Sequence, residues 1–263
     1  MTIAIDQGSF GEQLRAWRGR RHMSQLDLAL EAEISARHLS FVETGRARPS
    51  REMVLRLAET LSVPLRNRNA LLLAAGFAPA YRERGYDDPA LAPARTAMQR
   101  LLDGHAPYPA LAVDRHWQMV AHNAVVPLLL GGVAPELLAP PANVLRLSLH
   151  PDGLAPRILN LAEWKRHLLE RLAGQIAASA DPVLEALRDE LAAYPAPASK
   201  APPAIEASAI LVPLQLTTPE GPLSFFSTTT VFGTPVEVTL SEIAIESFFP
   251  ADPKTAEALR ELG

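Results

Sequence analysis

The residues best placed to do chemistry lie between Ser24 and Pro49, in the stretch SQLDLALEAEISARHLSFVETGRARP. Arg46 and Arg48 carry forked guanidinium groups whose donors match phosphate oxygens. Just upstream, Ser35, Arg37, His38 and Ser40 form a short run of polar side chains. Their chemistry is non-covalent: hydrogen bonding to the anionic backbone and polar groove of a nucleic-acid duplex.

Short helices must position these groups. Ser24 is suited to cap a first helix, because its hydroxyl can accept a free backbone N–H. Leu26, Leu28, Ala29 and Ala32 then supply an apolar face. Glu33-Ile34-Ser35 reads as a tight connection, with Ile34 a buried plug and Ser35 the cap of a second helix, Ala36 to Thr44. That helix buries Leu39 and Val42, three apart on one face, and ends at Gly45, a good residue for the left-handed position past a helix. Arg37, His38, Ser40 and Phe41 are left on its other faces. Two short helices at a steep angle, the second polar at its N-terminus, suit the major groove.

The net charge of −4 divides unevenly along the 263 residues. Residues 1–80 carry 11 arginines and no lysine against 8 acidic residues, a net of +3. Residues 81–263 carry 14 basic against 21 acidic residues, a net of −7. A basic head on an acidic body fits a nucleic-acid reader whose remainder avoids the polyanion. The chain has no cysteine, which excludes disulfides, thiolate catalysis and cysteine metal sites. Its first residues show no signal-peptide pattern, and no apolar run approaches the ~20 residues of a membrane span. The expectation is a cytoplasmic protein without membrane contact.

Around the central pair, Phe10, Leu14 and Trp17 mark a helix from Ser9 to about Arg21. Pro49-Ser50 opens a fourth helix through Leu61, and Pro64 a fifth, ending at Gly76. The spacing predicts an all-α helix-turn-helix domain over residues 1–80, a polar linker over 81–93, and a second domain over 94–263. In the second domain, a helix near Ala94–Leu102 precedes a strand-loop-strand at Ala110–Val113 and Gln118–Ala121. Asn123 and Asn143 are placed to cap following helices. Longer helices follow at Leu161–Ala178 and from Asp181-Pro182 to Ala193, then a proline-rich loop through Pro203. β-rich runs at Ile205–Thr217, Leu223–Phe232, Val236–Leu240 and Ile243–Phe249 precede a last helix capped by Asp252. This order predicts an α+β domain with one central antiparallel sheet, PAS-like in its sequence of elements.

No catalytic arrangement is legible. His105, His116, His122, His150 and His167 form no HxH, HxxxH or HExxH spacing, so no metal site is expected. There is no glycine-rich phosphate loop. Trp117, Trp164, Phe225, Phe226 and Phe232 either line a ligand cavity or fill the core between sheet and helices. Arg146 and Arg157 either hold a carboxylate at the mouth of such a cavity or make structural pairs.

Ser24-Gln25, Ile34-Ser35, Leu39 through Gly45 and Arg48-Pro49-Ser50 together resemble the phage-repressor-like (Cro/C1, or XRE) helix-turn-helix family, with its lambda-repressor-like head. Ala74 through Pro79, Ala112 through Trp117, Asn143 through Arg146, His150 through Leu154, Asn160 through Trp164 and Leu223 through Thr228 resemble the MmyB-like transcription regulator ligand-binding domain. The resemblance implies a bacterial one-component regulator that is not an enzyme. It would bind double-stranded DNA, and its sensor would hold a small apolar, fatty-acid-like ligand, with no other cofactor. By position, it implies that Gln25 binds a phosphate, that Ser35, Ala36, Arg37 and Ser40 face base edges, and that Arg46 and Arg48 sit on the backbone. It also makes Arg18 and Glu43 a buried structural pair. Ala36 departs from the commoner glutamine, which leaves a methyl contact to thymine in place of a bidentate hydrogen bond. A homodimer on a pseudo-palindromic operator is expected, since paired reading helices sit about 34 Å apart on DNA. Two other readings of the second domain stand beside this one: a dimerisation or protein-interaction module with a filled core, and an enzyme acting on a small apolar substrate.

Overall fold

The computed structural model describes residues 8–196, 212–219, 221–233 and 237–262. The expected loop beyond Ala196 and the start of the run Ile205–Thr217 lie outside the described residues. The chain divides into two compact units, Met1–Arg84 with Ala177–Ser179 and Pro235–Ser241, and Gly85–Ile176 with Ala180–Thr234 and Glu242–Gly263.

Serine hydroxyls set the helix starts of the first unit. Ser9, Ser24, Ser35 and Ser50 precede α1 (Phe10–Arg20), α2 (Gln25–Glu31), α3 (Ala36–Glu43) and α4 (Arg51–Thr60), and each accepts the third backbone N–H of its helix. Glu12 and Asp27 reciprocate to the caps of α1 and α2, closing capping boxes. Helix α5 (Leu65–Ala74) completes the bundle. Its core joins Leu14, Trp17, Leu28, Leu39, Val42, Leu57, Leu61 and Leu72.

Leu26 does not share in that core: it is 67% exposed, as Leu30 is 77% exposed. The buried stripe of α2 is Leu28, Ala29 and Ala32. Leu26 lies roughly 200° around the helix from Leu28, at about 100° per residue. Ile34 is half-buried against the core rather than fully enclosed. A close approach seats α1 on the end of α3: a Cβ on Gly11 would stand 2.3 Å from the Glu43 carbonyl oxygen.

The second unit holds α6 (Ala92–Asp103), β1 (Ala110–Val113), β2 (Met119–His122), α7 (Val126–Leu129), α8 (Pro135–Leu138) and α9 (Val144–Leu149). The long helix α10 (Leu161–Ser179) follows, then α11 (Pro182–Ala193), β3 (Leu214–Thr218) and β4 (Gly221–Val231). A short helix, α12 (Val238–Ser241), belongs to the first unit, and β5 (Ala244–Pro250) and α13 (Pro253–Leu262) complete the second. The strands form one antiparallel sheet in the order β2-β1-β5-β4-β3. Register pairs Leu111 with Glu246 and Ser227 with Phe248, which puts these four residues on one face of the sheet. On that side the core gathers Leu111 and Val113 with Trp164, Leu168 and Leu172 of α10 and Leu184, Leu187 and Leu191 of α11. No helix among the described residues is long and apolar enough to cross a membrane.

Two expected elements differ. Asn123 does not cap a helix through Leu130. It is buried, accepts the Ala110 N–H at 3.2 Å and donates to the carbonyls of Leu102 and Tyr108, so its amide ties the hairpin to α6. The β-branched run Val236–Leu240, of which Val236 lies outside the described residues, turns into α12 at Val238. There the Glu237 carboxylate accepts the Leu240 N–H at 2.9 Å, and a local cap outweighs strand propensity. The other Glu237 oxygen accepts the Arg84 N–H at 2.9 Å, and Val238 donates to the Arg82 carbonyl at 2.9 Å.

Candidate nucleic-acid interface and ligand cavity

The first candidate site is the N-terminal half of α3 with the loop behind it. Ser35 spends its hydroxyl on the His38 N–H at 3.1 Å, and its side chain is exposed at the helix start. Arg37 is exposed, its guanidinium 5.4 Å from the centre of the Phe41 ring, a cation–π contact that stiffens a long side chain. Ala36 and Ser40 are half-exposed on the helix.

Gly45 adopts φ +71°, and its N–H reaches the Val42 carbonyl while that of Arg46 reaches the Phe41 carbonyl. This paired closure of the helix end fixes where Arg46 leaves α3. Arg46 and Arg48 are both exposed on the loop it starts.

Beneath this surface sits Glu43, whose side chain is fully enclosed. Arg18 donates to both its oxygens at 2.7 and 3.0 Å, and Gln25 donates its side-chain amide at 2.7 Å. Arg15 adds a looser ion pair at 3.6 Å. Burial alone would raise the Glu43 carboxyl, but the hydrogen bonds from Arg18 and Gln25 outweigh it and hold the group below the usual range. The Arg18–Glu43 pair is thus present as a structural tie. Gln25, expected on a phosphate, has one amide N–H committed to Glu43, which binds the start of α2 to the end of α3.

The second candidate site is a cavity of about 630 Å³, including the open space at its mouth, within the second unit. Its walls come from β1, the β1–β2 loop, β2, α7, α9, α10, β3, β4 and β5. Leu111, Met119, Leu145, Leu168 and Phe248 typify the apolar lining, and Trp117 and Trp164 both border it. Trp117 holds φ +64°, a left-handed conformation that costs a bulky side chain of order 1–3 kcal/mol. Its ring is secured by donation of the indole N–H to Gln175 at 2.7 Å. The Trp164 indole N–H donates to the Ser148 hydroxyl at 2.9 Å.

The charged residues on the wall are Arg171 and Glu246. Arg171 donates to both Glu246 oxygens and to the Thr229 hydroxyl, and Thr229 donates to Glu246 at 2.9 Å. The guanidinium also stands 4.7 Å from the centre of the Trp117 ring. Neither residue was singled out from the sequence, though a signal existed. Arg171 shares the inward face of α10 with Trp164, Leu168 and Leu172, and Glu246 interrupts an apolar strand.

The structure brings only Trp117 and Trp164 of the sequence-named residues to this cavity. Arg146 is drawn off to a bidentate pair with Glu190 at 2.8 and 2.6 Å. Arg157 donates to the backbone carbonyls of Leu129, Gly131 and Thr217, bracing α7 and β3. Phe225 packs with Leu223 and Leu259 in a separate cluster. Phe226 stacks on Phe249 on the opposite sheet face, which strand alternation dictates. Phe232 lies past the end of β4 and is not among the lining residues. Of the histidines, His116 pairs with Asp181 at 2.9 Å and His105 with the Phe248 carbonyl at 2.8 Å. Among the described residues no three His, Asp or Glu side chains converge as metal ligands would.

A helix-turn-helix head with an exposed helix and arginine-bearing loop, followed by a sheet domain around an apolar cavity, fits a DNA-binding transcription regulator with a ligand-binding domain. The chain belongs to the family described as MmyB-like transcription regulator ligand binding domain, whose model matches residues 94–262, and a helix-turn-helix domain model matches residues 9–71. No curated protein matches the chain. A solved structure of an RNA-binding Light-Oxygen-Voltage receptor is 14% identical over 98% of this chain and 63% of its own length, at a TM-score of 0.28, too low to bear on the fold.

Proposed function

We propose that this chain is a bacterial one-component regulator in which a small apolar ligand, seated in the cavity of the second unit, modulates sequence-specific binding by the head. The apolar cavity carries this reading: an interior that served only to dimerise would gain stability by closing it. Arg37 and Ser40 are the base-edge candidates, with Ser35 and Ala36 beside them, and Arg46 and Arg48 hold phosphates. Gln25 approaches the backbone with the part of its amide that Glu43 leaves available. One such head buries little surface on DNA, so the chain acts as a homodimer on a pseudo-palindromic operator. Ligand occupancy shifts the population of dimer geometries and thereby operator affinity. The cavity's ion pair is fully engaged within the wall, which favours a sensor over an enzyme.

Native mass spectrometry of gently purified protein, followed by solvent extraction, tests both halves. The expected result is a dimer carrying a small apolar mass that extraction releases. A monomer at concentrations that shift operator DNA would overturn the palindrome reading. Failure of any small amphiphile to bind or co-purify would overturn the sensor reading.

A further inference from the structure

We propose that the cavity selects a neutral amphiphile, one with a hydroxyl, ester or similar uncharged head, and discriminates against a carboxylate anion such as an ionised fatty acid. This rests on the cavity being a ligand site, and it follows from the charges on the wall.

Thirteen of the seventeen lining residues are apolar, and two of the remaining four, Arg171 and Glu246, carry opposite charges. Glu246 is 4% exposed and both its oxygens are taken up by Arg171, so the guanidinium arrives at the cavity already neutralised. Thr229 and the Trp117 ring complete its surroundings. An entering carboxylate would lose its hydration without meeting net positive charge, and would stand beside a buried carboxylate of its own sign. His167, tilted against Trp164 at 5.5 Å, does not supply the missing charge. Burial, the largest cause, holds its imidazole below the usual histidine range.

An uncharged head meets a better match. The other polar lining groups are the hydroxyls of Ser148 and Ser227. Ser148 accepts the Trp164 N–H, and a hydroxyl that accepts still has a proton to donate. A ligand hydroxyl or ester carbonyl can use such a donor without disturbing the ion pair. The apolar remainder of the cavity then takes the chain.

The test compares decanol, methyl decanoate and decanoate binding to delipidated full-length protein, read by tryptophan emission. Two of the three tryptophans, Trp117 and Trp164, line the cavity. At about pH 8, where the acid is ionised, both neutral compounds should bind at least about tenfold more tightly than decanoate. Equal or tighter binding of decanoate would overturn the proposal and leave the cavity a ligand site. No response to any of the three would overturn the sensor reading itself, and the selectivity with it.

Glu246→Gln keeps the shape of the wall but leaves Arg171 uncompensated. It should strengthen decanoate binding by about tenfold relative to decanol. An unchanged ratio in a folded E246Q would show that the ion pair does not set the selectivity. The wild-type comparison decides the question if that variant fails to fold.

Discussion

Both units contain an enclosed arginine–glutamate pair, and the pairs do different work because of what lies beside them. In the head, Glu43 is surrounded by protein: Arg18, Gln25 and Arg15 converge on it from α1 and α2, and nothing is left for a ligand. In the second unit, Arg171 and Glu246 satisfy each other equally well but stand against empty volume. The same chemistry locks helices together where the space is filled, and sets the charge of a cavity wall where it is not. Salt-bridge geometry alone would not separate these roles. The neighbouring packing does.

The comparison can be broken most forcefully at Glu43. Glu43→Ala leaves an enclosed guanidinium and an amide without their acceptor and should cost about 3–5 kcal/mol in urea unfolding of the head. The same carboxyl should make the head acid-labile. Its acidity is enhanced in the folded state, so its contribution is complete above the unfolded value of about 4.3 and is lost as pH falls through the lower folded value. A head whose stability is flat through that acid window would contradict the assignment.

At the exposed face of α3 and its following loop the expected effects are smaller. Arg37→Ala should cost about 1–3 kcal/mol of operator affinity and relax the preference at one base pair, measured by competition among operator variants. Arg48→Ala should weaken all sequences alike and reduce the slope of log affinity against log salt by about 1. Loss of a sequence preference in the Arg48 variant would exchange the two roles.

The smallest effect sharpens the contrast from the other side. The Arg146–Glu190 pair is bidentate like the other two, but its side chains are 42% and 35% exposed. Arg146→Ala should therefore change stability by no more than about 1 kcal/mol and leave decanol binding unaltered. A clear loss of ligand affinity would restore Arg146 to the cavity.

The head was largely legible in the sequence because its signals are local. Serine caps precede four of the helices, and a glycine past α3 closes that helix in a left-handed turn. Leu26 is apolar, but its angle around α2 turns it away from the core. In the second unit the order of strands and helices was readable from alternation and caps, but the cavity was not. Trp117 and Trp164 were recognisable as large aromatics, whereas Arg171 and Glu246 meet only through the register that sets β5 against the sheet and the turn of α10 above it. Arg146 and Arg157 have the charge of anion anchors, but Glu190 and three backbone carbonyls occupy them. A charged side chain's partner, often far along the chain, is what sequence reading supplies least well.

Helix α12 bears on how the protein can be dissected. It comes from far along the chain, yet Glu237 and Val238 lie in the first unit, tied to the backbone of Arg82 and Arg84. A fragment cut after Arg84 would keep all five head helices and lose those partners, exposing the enclosed Val238 site to water. Releasing the head with that distant peptide takes cuts on both sides of α12 as well as one after Arg84, because α12 runs on into β5. The first unit is therefore three pieces of sequence, not one.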